Sequence, residues 1–308
     1  MHAHKLKLDH ILKNKQVFDS GPHPPDALLT ILPSLGVREP PAGDLTHYGF
    51  WYPFILGPNR PGFRVIELTA KYARLLAGVG EGGKLLGKVP DHFKEDLLDP
   101  GFFNPLFESP SCSARGYFLR FDKTSAQDVI NAHRALKSPL DVIERIVTSQ
   151  QAIDAINEHL HKSWRVRVYF FPFDATFYTR TDFRCFSAPV SSICKEQKVT
   201  AVSQYPWNAR GHTNHMYEAF TTAVLERIQS FHNDILEYAR MVDPEIAQGL
   251  RKQGFVFDIR CLRSGEVQLI EIHDFGLASR CGSALFHWLD DAELLYGGKE
   301  DVEVRVIF

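Results

Sequence analysis

The stretch GFVFDIRCLRSGEVQLIEIHDFG, residues 254–276, decides how this chain is read. Two runs of alternating apolar residues flank Ser264-Gly265, the pattern of a β-hairpin closed by a tight turn. The runs nevertheless carry Asp258, Glu271 and His273 where a plain buried strand would carry Val or Thr. If Ser264 and Gly265 form a two-residue loop, Arg263 faces Glu266, and the register carried down the ladder sets Asp258 directly opposite Glu271. His273 lies two positions beyond Glu271 and so shares its face. Like charges directly opposite each other destabilise a strand pair by up to about 1 kcal/mol. In a drier setting one of them is driven toward protonation instead. A divalent cation between them removes both costs, and two carboxylates with waters and substrate phosphates are the usual holder of Mg²⁺. The alternative is a salt-bridge cluster in which Arg260, on the same face, neutralises the pair. Removing either carboxylate is expected to relieve the repulsion and leave the fold intact.

Outward from the hairpin, the chain alternates helical and strand-like patterns. Residues 5–19 read as a short helix, and residues 20–45, rich in Pro and Gly, as an irregular connection. FRVIEL (63–68) reads as a strand and TAKYARLLAGVG as a helix closed at Gly78. GVGEGGKLLGKVP reads as a loop, mobile or covering a phosphate, although its glycines match neither GxxxxGK[ST] nor GxGxxG. RGYFLRFDKTSAQD (115–128) alternates as a strand. SPLDVIERIVTSQQAIDAINEHL carries helical spacing, with Pro139 near its start and acids in its first turn. Strands WRVRVYFF, DFRCFSAP and KVTAVSQY follow, then a long amphipathic helix, NHMYEAFTTAVLERIQSFHNDILEYARMV, with Met216, Phe220, Val224, Ile228, Ile235 and Tyr238 on one stripe. Beyond the hairpin, SALFHWLDDAELLYG reads as a helix and VEVRVIF as a strand. Hairpin-linked strands mixed with helices predict an antiparallel α+β fold rather than a doubly wound one.

The composition sets the class. The 308 residues are 44% apolar and 23% charged, which suits a globular protein with a sizeable core. Lys and Arg number 35 against 37 Asp and Glu, a balance that argues against a broad polybasic nucleic-acid surface. Five cysteines (Cys112, Cys185, Cys194, Cys261, Cys281) include no CxxC pair and read as reduced thiols. The first residues lack the apolar core of a signal peptide, and no apolar run approaches membrane-spanning length. The expected location is cytoplasmic, with no membrane partner. No Ser-His-Asp type spacing marks an activated nucleophile.

FVFDIRCLRSGEVQLIEIHDFG, followed by LFHWLDDAELL, resembles the C-terminal signature of the cell division cycle protein 123 family of divergent ATP-grasp proteins. DFRCFSAPVSSICKEQKVTAVSQY, SPLDVIERIVTSQQAI and FWYPFI resemble three further family segments in the same order, so the likeness runs over about residues 46–295. It implies an α+β ATP-grasp fold, two lobes with largely antiparallel sheets clasping ATP, and Mg²⁺ bridging the phosphates. The expected division is an N-terminal extension (1–45), an N-terminal lobe (46–165) and a C-terminal lobe with the metal-binding hairpin (166–308).

By position the resemblance makes Asp258 and Glu271 the metal-binding carboxylates. His273 stands where the family has Asn and Asp274 where it has Pro. Imidazole is a poor Mg²⁺ ligand, so His273 is expected to join the metal set with Mn²⁺, contact a phosphate or act as a base. Arg120 falls on the family's phosphate-binding Lys, keeping the charge and adding a bidentate fork. Asp122 shares its strand face, Lys123 is a further phosphate candidate and Asp128 matches the family Asp. The bland alternative is an Arg120–Asp122 surface pair. Arg184, in DFRCF, matches a family arginine, which is costly to bury unless it meets an anion. That anion is the nucleotide or, alternatively, Asp182 or the Asp258–Glu271 pair. RVRVYFFPF is the expected adenine hinge. SQYPWNARGHTNH departs most from the family, with Tyr205 in place of its Arg, and reads either as a base-stacking loop or as a solvated one.

Two functions follow as expectations. The first is an ATP- and metal-dependent ligase of ATP-grasp type, acting on a macromolecular acceptor, an RNA end or a protein carboxylate, and as one form an RNA ligase. Arg120, Arg184 and His273 would then be its catalytic residues. The second is an ATP-binding assembly chaperone for the gamma subunit of translation initiation factor two, the role that the resemblance implies.

Overall fold

The computed structural model of the chain describes residues 2–6, 45–56, 62–108, 115–126, 128–132, 134–173, 182–191, 193–205, 222–261, 267–276, 279 and 281–307. Among them nine strands form: β1 (His2–Leu6), β2 (Arg64–Leu68), β3 (Tyr117–Arg120), β4 (Val166–Pro172), β5 (Asp182–Ser187), β6 (Val199–Gln204), β7 (Phe255–Cys261), β8 (Val267–Asp274) and β9 (Glu303–Ile307). The helices are α1 (Tyr48–Leu56), α2 (Ala70–Leu86), α3 (Lys94–Leu98), α4 (Pro139–Thr148), α5 (Gln150–His161), α6 (Thr222–Val242), α7 (Pro244–Gln253) and α8 (Ala292–Leu295). The chain divides into two compact units, one of Met1–Thr46, Phe50–Ile55 and Thr179–Phe308, the other of His47–Gly49 and Leu56–Tyr178.

The larger unit is built on a six-stranded sheet of order β1-β9-β6-β5-β7-β8. Its pairings are antiparallel from β6 through β8, while β9 runs parallel to both β1 and β6. The smaller unit has an antiparallel sheet of order β2-β4-β3. The expected α+β class with largely antiparallel sheets is therefore the observed one. The expected boundary after residue 165 falls at 178/179 instead. The reason is the ladder: β4 is the middle strand of the smaller sheet, bonded to β2 on one side and β3 on the other, so it cannot leave with the C-terminal residues. Residues 2–6, read as part of an extension and partly as helix, are an edge strand of the larger sheet.

The glycine-rich segment after residue 77 is not a loop. α2 runs through it to a left-handed Gly87 at φ +65°, the usual stop for a helix. Its glycines are points of close approach. A Cβ on Gly80 would lie 2.6 Å from Ile153 Cδ1, and one on Gly83 2.6 Å from the Val147 carbonyl. Glycine therefore lets α2 seat against α4 and α5, and the phosphate-flap alternative is excluded. The long helical pattern after Ser138 is two helices, because extended Ser149 ends α4 and caps α5, its hydroxyl accepting from the Ala152 amide. Leu76, Val79, Val142, Ile146, Ile153, Phe121 and Phe170 fill the core beneath them.

In the larger unit α6 lays Ile228, His232, Ile235 and Ala239 inward, while the expected stripe residues Met216 and Phe220 lie outside the described residues. Phe186, Phe275, Phe286, Trp288 and Tyr296 form an aromatic cluster at the C-terminal end. The helix expected over SALFHWLDDAELLYG is reduced to α8 alone.

His232 is fully buried, stacked on Phe255 at 8° between planes, with Nε2 2.9 Å from Ser187 Oγ. Burial pushes its pKa down to about 4. Above pH ~6.5 it is neutral folded or unfolded and contributes no pH dependence. Below that the unfolded chain takes up a proton that the folded one refuses. Stability therefore falls as pH drops from ~6.5 to about 4, by up to roughly 3 kcal/mol. Urea unfolding of wild type and His232→Gln across that range checks this. An equal acid loss in both would assign the dependence elsewhere.

Candidate metal and nucleotide site

Arg184, Asp258 and Glu271 sit side by side on β5, β7 and β8, each directly opposite the next. The expected Asp258–Glu271 pairing is thus observed, but by another route. Close to the turn the register is displaced by one, Ile259 facing Leu269, and a bulge between Asp258 and Ile259 restores the pairing. The bulge leaves Ile270 as the extra residue of β8, and such a bulge re-aims neighbouring side chains.

Asp258 is 1% exposed. Both its oxygens accept from Arg184, Nε to Oδ1 and Nη2 to Oδ2, each at 2.8 Å. The remaining Arg184 nitrogen, Nη1, donates to the carbonyls of Cys281 and Gly282, and the Tyr205 ring covers the guanidinium at 4.1 Å. The geometry thus gives Arg184 the counter-ion role left open by the sequence. Arg260 is not the neutralising partner, because it pairs two rungs along with Asp182, at 2.8 and 3.0 Å. Asp258→Ala would therefore orphan a buried guanidinium rather than relieve repulsion. This corrects the expectation that either carboxylate can be removed without cost.

His273 closes the cluster, its Nε2 lying 2.8 Å from Glu271 Oε1 and 3.1 Å from Asp258 Oδ2. Burial works against its charged form, but the two carboxylates outweigh burial and lift its pKa to about 10. Burial likewise raises Asp258, and Arg184 and His273 more than reverse it, holding the carboxyl below its ordinary range. Imidazolium thus occupies the place between two carboxylates where the sequence called for a cation. The donor set fits a divalent ion. Glu271, with its side chain 22% exposed, is the accessible ligand, and Asp258 adds Oδ2. An imidazole among carboxylates moves the preference from Mg²⁺ toward Mn²⁺.

In the smaller unit Arg120 is buried with its guanidinium 4.1 Å over the Tyr48 ring. Asp122 is not its surface partner. The Asp122 carboxylate accepts from the Gly49 amide and the Tyr169 hydroxyl, both at 2.8 Å, and faces His159 at 3.1 Å. Lys123 lies in a surface pair with Glu158 at 3.1 Å. Asp128 accepts from Ser149 Oγ and from the Gln151 amide at α5's start, a helix-capping arrangement. His47 and His159, which complete the Asp122 cluster, went unremarked in the sequence because they stand 75 and 37 residues from Asp122 in opposite directions. In the hinge stretch 165–173, Tyr169 and Phe170 are core residues. The expected loop 206–215 lies outside the described residues, and Tyr205 at its threshold is packed on Arg184.

No protein-family model matches the sequence, and no curated protein matches it. Solved structures do match in fold. A C-terminally truncated Cdc123 from Schizosaccharomyces pombe superposes with a TM-score of 0.57 at 13% identity, over 86% of this chain and 96% of that one. Cdc123 from the same organism gives 0.54 at 14% identity, over 88% and 99%. The chain has the fold of Cdc123. No helix among the described residues is long and apolar enough to cross a membrane.

Proposed function

We propose that this chain is an ATP-binding assembly factor of the Cdc123 kind, in which Asp258, Glu271 and His273 hold the divalent cation of the nucleotide. The observation that carries the reading is the Asp258–Glu271–His273 cluster, where the Glu271 and Asp258 carboxylates lie 2.8 and 3.1 Å from His273 Nε2, so that a cation bound there takes the place of the ring's proton. The likeness to Cdc123 over most of the chain supports the assembly role. The partner implied by the family resemblance is the gamma subunit of translation initiation factor two. The bound cation would supply charge neutralisation for the phosphates. The protein's own contribution is to fix the ligands: Arg184 locks Asp258, and the bulge sets Glu271 and His273 beside it.

The expected result is ATP binding that needs Mg²⁺ or Mn²⁺ and is lost with EDTA. Glu271→Gln should weaken it by at least about tenfold while the protein stays folded, because the side chain lies at the sheet's edge strand. Equilibrium binding with and without metal measures it. Wild type that binds no ATP, or Glu271→Gln that binds as wild type does, would sink the reading.

The ATP-grasp ligase is the second reading. The observation in its favour is His273, which holds an exchangeable proton between two carboxylates in a partly accessible position. ATP labelled separately at the α and γ positions, incubated with RNA or protein acceptors, separates the two. Label carried onto RNA from the α position marks an RNA ligase. ADP release only with an acceptor marks acyl-phosphate ligation. Binding with neither leaves the assembly factor.

A further inference from the structure

A second cluster of ligating side chains lies wholly within the smaller unit. His47 precedes α1, Asp122 follows β3 and His159 stands in the last turn of α5. One ligand atom from each falls within 4.8 Å of the other two. Asp122 and His159 are 6% and 3% exposed, whereas the His47 side chain is 19% exposed at the rim.

The orientation of each group is what separates this cluster from a chance meeting. His159 Nδ1 lies 2.8 Å from the Ala155 carbonyl, one helical turn back, so Nδ1 carries the proton and donates it there. That leaves Nε2 aimed at Asp122 Oδ2, 3.1 Å away. A neutral Nε2 lone pair opposite a carboxylate oxygen is repulsive unless a cation, a proton or a metal ion, lies between them. The other carboxylate oxygen, Oδ1, is already occupied by the Gly49 amide and the Tyr169 hydroxyl. This is how ligands are held in metal sites: a histidine donates its far ring nitrogen to a backbone carbonyl, and a carboxylate is fixed through its second oxygen. The third group, His47, brings Nδ1 to 4.0 Å from Asp122 Oδ1 and sets its ring edge-on to Trp164, which also meets His159.

Ligands on a tetrahedral ion at about 2.1 Å lie roughly 3.4 Å apart. The Asp122–His159 separation of 3.1 Å is already close to this, and because the three ligand atoms lie within 4.8 Å of one another, closure asks at most roughly 1.4 Å of movement from the rim residue His47. Two imidazoles and one carboxylate suit zinc and neighbouring divalent transition ions rather than Mg²⁺ or Ca²⁺. Three protein ligands leave a coordination position open.

We infer that His47, Asp122 and His159 form a second metal site, for a zinc-class divalent ion, separate from the Asp258–Glu271–His273 cluster. Such an ion ties the start of α1 to β3 and α5 inside one unit. It does not depend on nucleotide binding.

Cobalt(II) is the probe, because its visible absorption reports nitrogen and oxygen coordination, and Zn²⁺ displaces it in competition. Metal-stripped wild type is expected to bind Co²⁺ with a coordinated spectrum. Glu271→Gln should keep that spectrum, while His47→Ala and Asp122→Asn should each weaken binding at least about tenfold. His47→Ala is the decisive variant, since His47 lies at the rim with its side chain 19% exposed and outside the hydrophobic core, and circular dichroism confirms the fold. An unchanged spectrum in His47→Ala and Asp122→Asn overturns the inference, as does its loss in Glu271→Gln alone. Wild type that binds no Co²⁺ also overturns it, leaving a proton as the cation between His159 and Asp122. Because Glu271→Gln tests the nucleotide site separately, failure of one site is distinguishable from failure of the other.

Discussion

Arg184→Met should cost about 3–5 kcal/mol of folding stability, because it strips the bidentate partner from the buried Asp258 carboxylate and leaves only His273 beside it. The side chains of the pair are each 2% exposed, and the two hydrogen bonds are 2.8 Å long. Asp258→Leu should cost a similar amount by orphaning the guanidinium. Arg184→Met/Asp258→Leu should recover most of the loss, because replacing both partners of a buried pair by apolar groups is often neutral. Arg184→Lys should recover little, since an ammonium cannot reproduce the fork. Urea unfolding of the four variants completes the cycle, with an unchanged slope showing that the same surface is exposed. Losses below about 1 kcal/mol in both single variants would mean that the pair behaves as an exposed one.

Gly254→Ala should also cost about 3 kcal/mol or more, through strain and overlap together. Gly254 joins α7 to β7 at φ 70° and ψ 177°, a conformation closed to side-chain-bearing residues. A Cβ there would lie 2.6 Å from the Ser187 carbonyl and 2.8 Å from Pro189 N, both backbone atoms. The residue immediately precedes the strand that carries Asp258, so the variant that still folds should also weaken metal-dependent ATP binding. Thermal unfolding and ATP binding read the two effects. A Gly254→Ala protein as stable as wild type would show that the α7–β7 junction relaxes freely.

The hairpin was legible because alternation with period two fixes which residues share a face, and Asp258, Glu271 and His273 broke an otherwise apolar pattern. The pairing emerged correctly although the bulge at Ile270 could not be foreseen, as nothing in the residue types distinguishes an extra residue from a longer turn. Arg184 was legible as a buried cation, but not its partner. Choosing between Asp182, Asp258 and the nucleotide requires knowing the strand neighbours, and strand order depends on the whole sheet. The α2 glycines misled for a definite reason: Gly breaks isolated helices, and the Ile153 and Val147 contacts that make it necessary here come from other helices. The His47–Asp122–His159 cluster gave no local signal, because its members meet only through tertiary folding.

The pairing of β1 with β9 has a consequence for how the chain comes to be folded. His2–Leu6 runs alongside Glu303–Ile307, and β9 in turn bonds to β6. During synthesis the first strand leaves the ribosome some three hundred residues before its neighbour exists. The sheet that carries Asp258 and Glu271 can zip from β6 through β8, but its other flank stays open until the final strand emerges. That flank is a loop closure of very large sequence separation, the slowest kind of contact to form. Until then the free edge of β6 is the point at which a nascent chain most needs protection from pairing with a stranger.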